Sequence, residues 1–367
     1  MKFSIQREAI LKPLTQVAGV VERRQTLPVL ANLLVVAGEN NVSFTGTDLE
    51  VELVANLATD IDTPGEVTLP ARKLVEICRA LPDGTEIKLD VSGDRAKIQA
   101  GRSRFTLATL PATEFPVIDE VKTTQKVPIA QADLKRIIDK TAFAMAHQDV
   151  RYYLNGLLLE LRDGLIRAVA TDGHRLAICD LDADITVGDV VQMIVPRKGV
   201  LELVRLLDEE GDPVEVEMGR NHVRVTLPDG TFTSKLIDGR FPDYESVVPV
   251  GADQIVTMER SAFRDSLQRV SILSNEKYRG VKLELEPGTV RIIAHNPEQE
   301  EAVEELEVEV AEIERLAVGF NVTYLLDALN ALDADTVQIC LRDANSSCLL
   351  RLPESDRSRH VVMPLRL

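Results

Sequence analysis

The strongest constraint on this chain is an internal repeat of about 125 residues. Phe3-Ser-Ile-Gln-Arg-Glu-Ala-Ile-Leu reads as a short strand running into an amphipathic helix. The same grammar returns at Val127-Pro-Ile-Ala-Gln-Ala-Asp-Leu-Lys and at Val256-Thr-Met-Glu-Arg-Ser-Ala-Phe-Arg, at offsets of 124 and 129 residues. Thr47-Asp48-Leu49, Thr171-Asp172-Gly173 and His295-Asn296-Pro297 each follow a predicted hairpin, at spacings of 124 and 124. Leu69-Pro70-Ala71-Arg72-Lys73, Val195-Pro196-Arg197-Lys198 and Phe320-Asn321-Val322-Thr323 each open a predicted helix, at 126 and 125. Identity between copies is low, but three landmarks hold register along the whole chain. It therefore encodes three copies of one unit.

Each copy is itself doubled. The order strand, helix, hairpin, strand runs over 2–57 and again over 66–110, where Ile87, Leu89, Val91 and Phe105, Leu107 alternate as in half-buried antiparallel strands. The fold class is α+β: three domains, each with two helices and two antiparallel sheets. Short polar or small-residue links place the boundaries at 1–124, 125–252 and 253–367.

Charge adds a second constraint. The net charge is −17, from 42 basic and 59 acidic residues, which taken globally argues against a simple cationic nucleic-acid binder. Periodicity and caps predict helices over 7–24, 71–81, 133–147, 197–207, 259–273 and 322–332. These carry 16 basic and 9 acidic residues, a net +7 against −24 elsewhere. Lys and Arg favour helices in general, which accounts for part of this, but Glu is also a good helix former and stands mostly outside them. Helices on one face and sheets on the other would give a positive face able to approach polyphosphate. Tyr152 and Tyr153, next to Arg151, read either as contacts to a DNA backbone or unpaired base, or as one core and one rim tyrosine. With no Trp and only 14 Phe plus Tyr, a base-stacking platform along a strand is disfavoured.

Other classes find little support. No apolar run approaches the roughly 18–20 residues of a membrane span. The start turns charged at once, without a signal-peptide core, and the cysteines Cys78, Cys179, Cys340 and Cys348 form no CxxC. The expectation is a reduced, cytoplasmic protein with no metal and no cofactor. No GxxxxGK[ST], GxGxxG, GxSxG or HExxH occurs. Asp172-Gly173-His174 reads as a turn rather than an acid–base pair. His147-Gln148-Asp149 lacks anything nearby to complete a metal site, so no catalytic residue is expected. A peptide-binding scaffold with no DNA role is the competing non-enzyme reading, and the helix charge disfavours it.

Several segments go further. Leu27-Pro28, Thr45-Gly-Thr-Asp-Leu-Glu50, Met145-Ala-His-Gln-Asp-Val-Arg-Tyr-Tyr-Leu-Asn-Gly156, Ala170-Thr-Asp-Gly-His-Arg-Leu-Ala177 and Val195-Pro-Arg-Lys-Gly199 resemble the family of bacterial DNA polymerase III beta subunits, the replicative sliding clamps. So do Asp238-Gly-Arg-Phe-Pro-Asp-Tyr244, Leu273-Ser-Asn-Glu-Lys277, Asn296-Pro-Glu-Gln-Glu-Glu301 and Val361-Val-Met-Pro-Leu-Arg-Leu367. The matches run the whole length in order.

The resemblance implies a head-to-tail homodimer, a six-domain ring whose helices line a hole around double-stranded DNA, held without regard to sequence. It implies DNA contacts by Arg24, Gln148, Arg151, Tyr152, Tyr153, Arg197, Lys198 and Arg279. At the subunit interface it implies Phe105 and Leu107 facing the partner's Ile272 and Leu273. Arg102 and Arg104 would stand near Glu298, Glu300, Glu301 and Glu304. Phe105 and Leu107 taken alone also read as ordinary core.

It further implies a hydrophobic groove for short peptides of the polymerase III alpha subunit, the clamp loader, and other polymerases and repair proteins. Carried over, the groove comprises Leu154, Thr171, Gly173, His174, Arg175, Leu176, Pro242, Val247, Asn321, Tyr324, Ser347, Val361, Val362, Met363, Pro364, Leu365 and Arg366. An apolar terminus of this kind suggests docking, as a groove wall, as a last buried strand, or as both. Two departures stand out. Glu245-Ser246 follows Phe-Pro-Asp-Tyr where relatives often carry a basic residue, and Met363-Pro364-Leu365 stands where Met-Pro-Met is common.

Overall fold

The computed structural model describes residues 1–22, 27–118, 122–310 and 315–366. Among the described residues six α-helices stand where the repeat places them: α1 (Arg7–Gly19), α2 (Ala71–Ala80), α3 (Gln131–Asp139), α4 (Arg197–Leu206), α5 (Arg260–Val270) and α6 (Val322–Ala331). Three predicted ends were too long. α1 stops at Gly19. α3 stops at Asp139 and gives way to a 3-10 turn, Ala142–Ala144. α5 passes into another, Ser271–Leu273. β-branched Val20 and Val21 and the tight Thr141 turn, whose hydroxyl bonds the carbonyl of Ile137, favour leaving the helix. Within the observed bounds the helices hold 13 basic and 7 acidic residues, so their positive excess persists at +6.

Each copy builds two four-stranded sheets, but they join into four rather than six. The strands Lys2–Gln6, Glu86–Ser92, Arg95–Ala100 and Ser103–Ala108 form one sheet, extended at its far edge by Ile61–Thr63. In copy 2 the matching order is Thr123–Ile129, Val214–Gly219, His222–Leu227, Gly230–Lys235. The last of these pairs with Val51–Ala58 of copy 1, making an eight-stranded sheet. In copy 3 the last matching strand, Ser355–Val362, pairs with Arg175–Asp182 of copy 2, and with the two-residue strand Glu309–Val310 at the far edge this makes a nine-stranded sheet. The fourth sheet is Glu301–Glu307, Thr289–His295, Gly280–Glu286, Leu316–Asn321. Phe232 stands opposite Leu53 at the first joint and Val361 opposite Leu176 at the second.

By contact density the chain forms two compact units: Met1–Ala132 with Lys198–Leu236, and Asp133–Arg197 with Ile237–Leu367. Three units of sequence become two of structure because the middle copy lends one sheet to each neighbour. In the second unit, Phe263 and Leu267 of α5 and Leu325 and Leu329 of α6 bury themselves against Leu283, Ile292, Phe320 and Ile339 of two sheets.

One repeated position ties the two helices of every copy together. Arg7, Gln131 and Arg260 open α1, α3 and α5 and share the fifth place of the first sequence landmark. Arg7 Nε donates to Cys78 O (3.0 Å) at the end of α2. Gln131 Nε2 donates to Asp212 O (2.7 Å), and its Oε1 accepts from Asp208 N (2.9 Å), just past α4. Arg260 donates to Ala334 O (2.8 Å) and Leu329 O (3.3 Å) around the end of α6. A helix C-terminus leaves carbonyls without partners and carries partial negative charge, which a guanidinium satisfies on both counts. Arg260→Ala is expected to lower stability by about 2 kcal/mol, the scale of charged hydrogen bonds. A urea-unfolding midpoint for the transition of the C-terminal unit measures it.

Candidate functional site

The Thr-Asp turn is the element from which the candidate groove is built. In copy 1, Thr47 Oγ1 donates to Val51 O (2.9 Å), and Asp48 Oδ1 accepts from Glu50 N and Val51 N. In copy 2, Thr171 Oγ1 donates to Arg175 O (2.6 Å), and Asp172 Oδ1 accepts from His174 N and Arg175 N. This confirms Asp172-Gly173-His174 as a turn. The turn requires a left-handed residue, and Leu49 (φ 78°) and Gly173 (φ 88°) fill that place 124 residues apart. The turn aims His174 outward, where it is exposed, while its carbonyl accepts from Met363 N (2.9 Å). The tail then crosses to the next sheet, where Leu365 N donates to Gly319 O (2.7 Å). The tail is thus a docked strand end and also forms surface, since Met363, Pro364 and Leu365 remain half-buried.

The groove residues carried over from the family divide into three roles. Leu154, Leu176, Val361 and Val362 are at most 2% exposed, so they are foundation rather than lining. Leu176 and Val361 share a core with Phe241 and Tyr244, against which Val247 and Tyr153 pack. The accessible set is Thr171, Gly173, His174, Pro242, Val247, Tyr324, Ser347, Met363, Pro364, Leu365 and Arg366. Arg175 and Asn321 are occupied within the chain. Arg175 donates to Asp172 Oδ2 (3.1 Å), Asp327 Oδ2 and Phe143 O (2.6 Å), and its guanidinium carbon lies 4.6 Å from the Tyr324 ring centroid. Asn321 caps α6, accepting from Thr323 N (2.9 Å) and Tyr324 N (3.4 Å). Arg175 therefore welds the copy 2 turn to a copy 3 helix.

Several candidate DNA contacts also have intrachain partners. Arg151 grips Asp149 with two side-chain bonds (3.0 and 2.9 Å), and hydrogen bonds from Arg151 hold the Asp149 carboxyl down to about 2. Lys198 reaches Glu22 (2.8 Å) and Asp48, and Arg197 donates to Met145 O (3.4 Å). Gln148 and Arg279 both adopt left-handed backbone (φ 58° and 51°). Tyr152 is 57% exposed, while Tyr153 packs on the core. Arg24 lies outside the described residues.

At the candidate interface, Ser103–Ala108 is an edge strand with exposed Arg102 and Arg104 before and within it. Phe105 is half-buried, and Leu107 is buried in its own sheet, the core alternative for that residue. Glu301–Glu307 is likewise an edge strand, near Glu298, Glu300 and the 77% exposed Ile272, with Leu273 half-buried. Glu304 is already held by Arg269 (2.8 Å).

Sequence reasoning missed a charged cluster beside the groove: Glu160, Arg162, Arg167, Asp180, Tyr244 and Arg359. Its signal was available. Glu160, Arg167 and Asp180 are direct neighbours across three adjacent strands. The contact between Ser358 Oγ and His360 Nε2 (3.1 Å) is structural. His360 is 1% exposed, and burial holds its pKa down to about 3.

Known proteins share this arrangement. Family models for the N-terminal, central and C-terminal domains of the DNA polymerase III beta subunit match residues 1–119, 128–243 and 245–366. The beta sliding clamps of Pseudomonas aeruginosa and Escherichia coli are 55% and 47% identical, over all of both chains. A crystal structure of the P. aeruginosa clamp bound to griselimycin superposes with a TM-score of 0.97 at 54% identity, covering both chains fully. The Caulobacter crescentus clamp does so with 0.96 at 41%, covering 100% of this chain and 99% of that one. The chain belongs to the family of DNA polymerase III beta subunits, the bacterial beta sliding clamps. It is accordingly a non-catalytic accessory subunit of that polymerase.

Arg175→Ala would leave Asp172 and Asp327 facing each other without a cation and remove the stacking on Tyr324. The expected loss is about 3 kcal/mol, measured by thermal unfolding, with Arg175→Lys recovering part of it.

Proposed function

We propose that two copies of this chain close head to tail into a ring that encircles double-stranded DNA, slides on it and tethers replication and repair proteins. Such a ring has copies bounded at about 124 and 252 in each subunit. The observation that carries this reading is the pair of unmatched strands. Within the chain, the last strand of one copy's first sheet pairs twice with the third strand of the preceding copy's second sheet. The pattern leaves Ser103–Ala108 of copy 1 and Glu301–Glu307 of copy 3 open. One is flanked by arginines and the other is rich in glutamate, and two copies related by a twofold axis would satisfy both at once.

The register follows from the internal joints. Phe105 faces Ile98 as Phe232 faces Val225, and Glu301 faces His295 as Glu52 faces Thr47. Phe232 stands opposite Leu53, so Phe105 stands opposite the partner's Ala302 and Arg104 opposite the partner's Val303. Arg102 and Arg104 then lie within reach of the acidic run, with Glu298, Glu300 and Glu301 free of Arg or Lys partners among the described residues.

DNA would be held by topology and many weak phosphate contacts from the helical face, consistent with a net −17 molecule whose helices carry +6. Arg24, Gln148, Arg151, Tyr152, Arg197, Lys198 and Arg279 are the proposed contacts, with Arg151 and Lys198 also serving the fold. The accessible groove residues would take short peptides of the polymerase alpha subunit, the clamp loader and other clamp-binding proteins, in the cytoplasm. The groove would seat one or two apolar anchors, with His174 and Arg366 as polar contacts.

After loading by a clamp loader, the protein is expected to co-elute with nicked circular duplex at 150 mM salt and to be lost when the circle is cut. Binding to a short linear duplex is expected to be weak and to fall further with salt. Equal retention on linear and circular DNA would refute encirclement.

A further inference from the structure

The charged cluster sits beneath the segment that carries Pro242 and Val247. Arg167, 9% exposed, holds Asp180 through two parallel bonds, Nε to Oδ1 (2.6 Å) and Nη2 to Oδ2 (2.9 Å). Its remaining nitrogen, Nη1, donates upward to the Tyr244 hydroxyl (3.3 Å) and to Glu245 Oε1 (3.0 Å). The Tyr244 hydroxyl donates to Glu160 Oε1 (3.1 Å), which Arg162 also reaches (2.6 Å) while donating to Glu245 (3.2 Å). Gln192 fills the other oxygen of Glu160 (2.6 Å), and Arg359 reaches Asp180 (3.1 Å). Three cations meet three anions. Glu245 is the third anion. Here its carboxylate is spent on Arg162 and Arg167.

Resting on the groove reading above, we infer that Arg167 is a positioning residue for peptide binding. It fixes Tyr244 and Glu245 on the sheet, and so fixes Pro242 and Val247 as one wall of the groove. The guanidinium is suited to this because its planar fork binds the carboxylate bidentately while one nitrogen stays free to point at the segment above. Val247 packs on the same core as Leu176 and Val361, so a shift of residues 241–247 moves the wall relative to a floor that stays in place. The balance of charge makes Glu245 specific to this network. A basic residue at 245 would leave four cations, itself with Arg162, Arg167 and Arg359, against the two anions Glu160 and Asp180.

The test is titration of a fluorescein-labelled polymerase alpha-subunit tail peptide by anisotropy, on dimeric protein checked by sedimentation and melting. Arg167→Met and Glu245→Arg should each weaken binding about tenfold or more. Tyr244→Phe should weaken it severalfold, and Arg167→Met with Tyr244→Phe should be little worse than Arg167→Met alone, because both act through one link. Val290→Ala, buried in the same unit and away from the segment, supplies the comparison: it should lower the melting temperature and leave peptide affinity unchanged. Unchanged affinity in folded Arg167→Met, or in Tyr244→Phe should Arg167→Met fail to fold, would overturn the inference. So would losses that merely track melting temperature and appear in Val290→Ala as well. Wild-type protein that binds no peptide would instead overturn the groove reading, and the inference with it.

Discussion

The structure depends on one requirement, that the backbone of an edge strand find a partner. A four-stranded sheet has two edges, and each open edge exposes a row of donors and acceptors that will pair with whatever strand is offered. At two of its joints this chain meets the requirement by repetition, while strands such as Thr123–Ile129 and Val191–Pro196 stay at sheet edges. Each copy ends its first sheet with a strand that completes the second sheet of the copy before it, at Gly230–Lys235 on Val51–Ala58 and at Ser355–Val362 on Arg175–Asp182. At the first joint the approach is close enough that a Cβ on Gly230 would stand 2.0 Å from Val54 O. A tandem array with this rule always leaves one strand over at each end, and only another copy offers the complementary strand.

The joints are also where side chains concentrate their electrostatic effort. Asp48 of the first turn takes Lys198 of α4, and Asp172 of the second shares Arg175 with Asp327 of α6. The two solutions use the same turn but differ in residue type and in helix position, Lys198 standing in the first turn of α4 and Asp327 midway along α6. The candidate groove lies over the second joint, where the docked terminus and residues 241–247 leave apolar side chains half-covered. In the proposed groove, binding and folding would draw on the same residues, with the buried Leu176 and Val361 and the ion-paired Arg175 as support and the half-buried Met363, Leu365 and Val247 as the side chains that would meet a ligand.

Much of this was legible in the sequence. Two of the three landmarks located all six helices and the third located the turns, because each is a local signal, a strand-to-helix switch, a helix start or an Asx-type turn. Helix ends were less legible because weak local preferences decide them, as at Thr141, whose hydroxyl bonds the carbonyl of Ile137. The fusion of six sheets into four could not be seen, since strand pairing between copies has no local signature. For the site, the resemblance named residues without separating lining from foundation. Leu154, Leu176, Val361 and Val362 look like surface apolar residues in a motif and prove to be core. Arg175 and Lys198 look like free cations and prove to be neutralised by carboxylates 152 and 150 residues away. The cluster around Arg167 was within reach, because opposite charges face one another across a hairpin whose register the Thr-Asp turn defines.

The central claim, that the open strands of copies 1 and 3 pair with one another in the register of the internal joints, is tested most directly by disulfide cross-linking. The four native cysteines are all buried, so a surface pair can be introduced without competition. The double variant R104C/V303C, mildly oxidised at low micromolar concentration, should run as a covalent dimer on non-reducing gels and revert on reduction. Each single variant should remain monomeric under denaturing conditions, and a pair shifted by one residue, S103C/V303C, should cross-link poorly. Failure of R104C/V303C to cross-link, or preference for the shifted pair, would contradict the account.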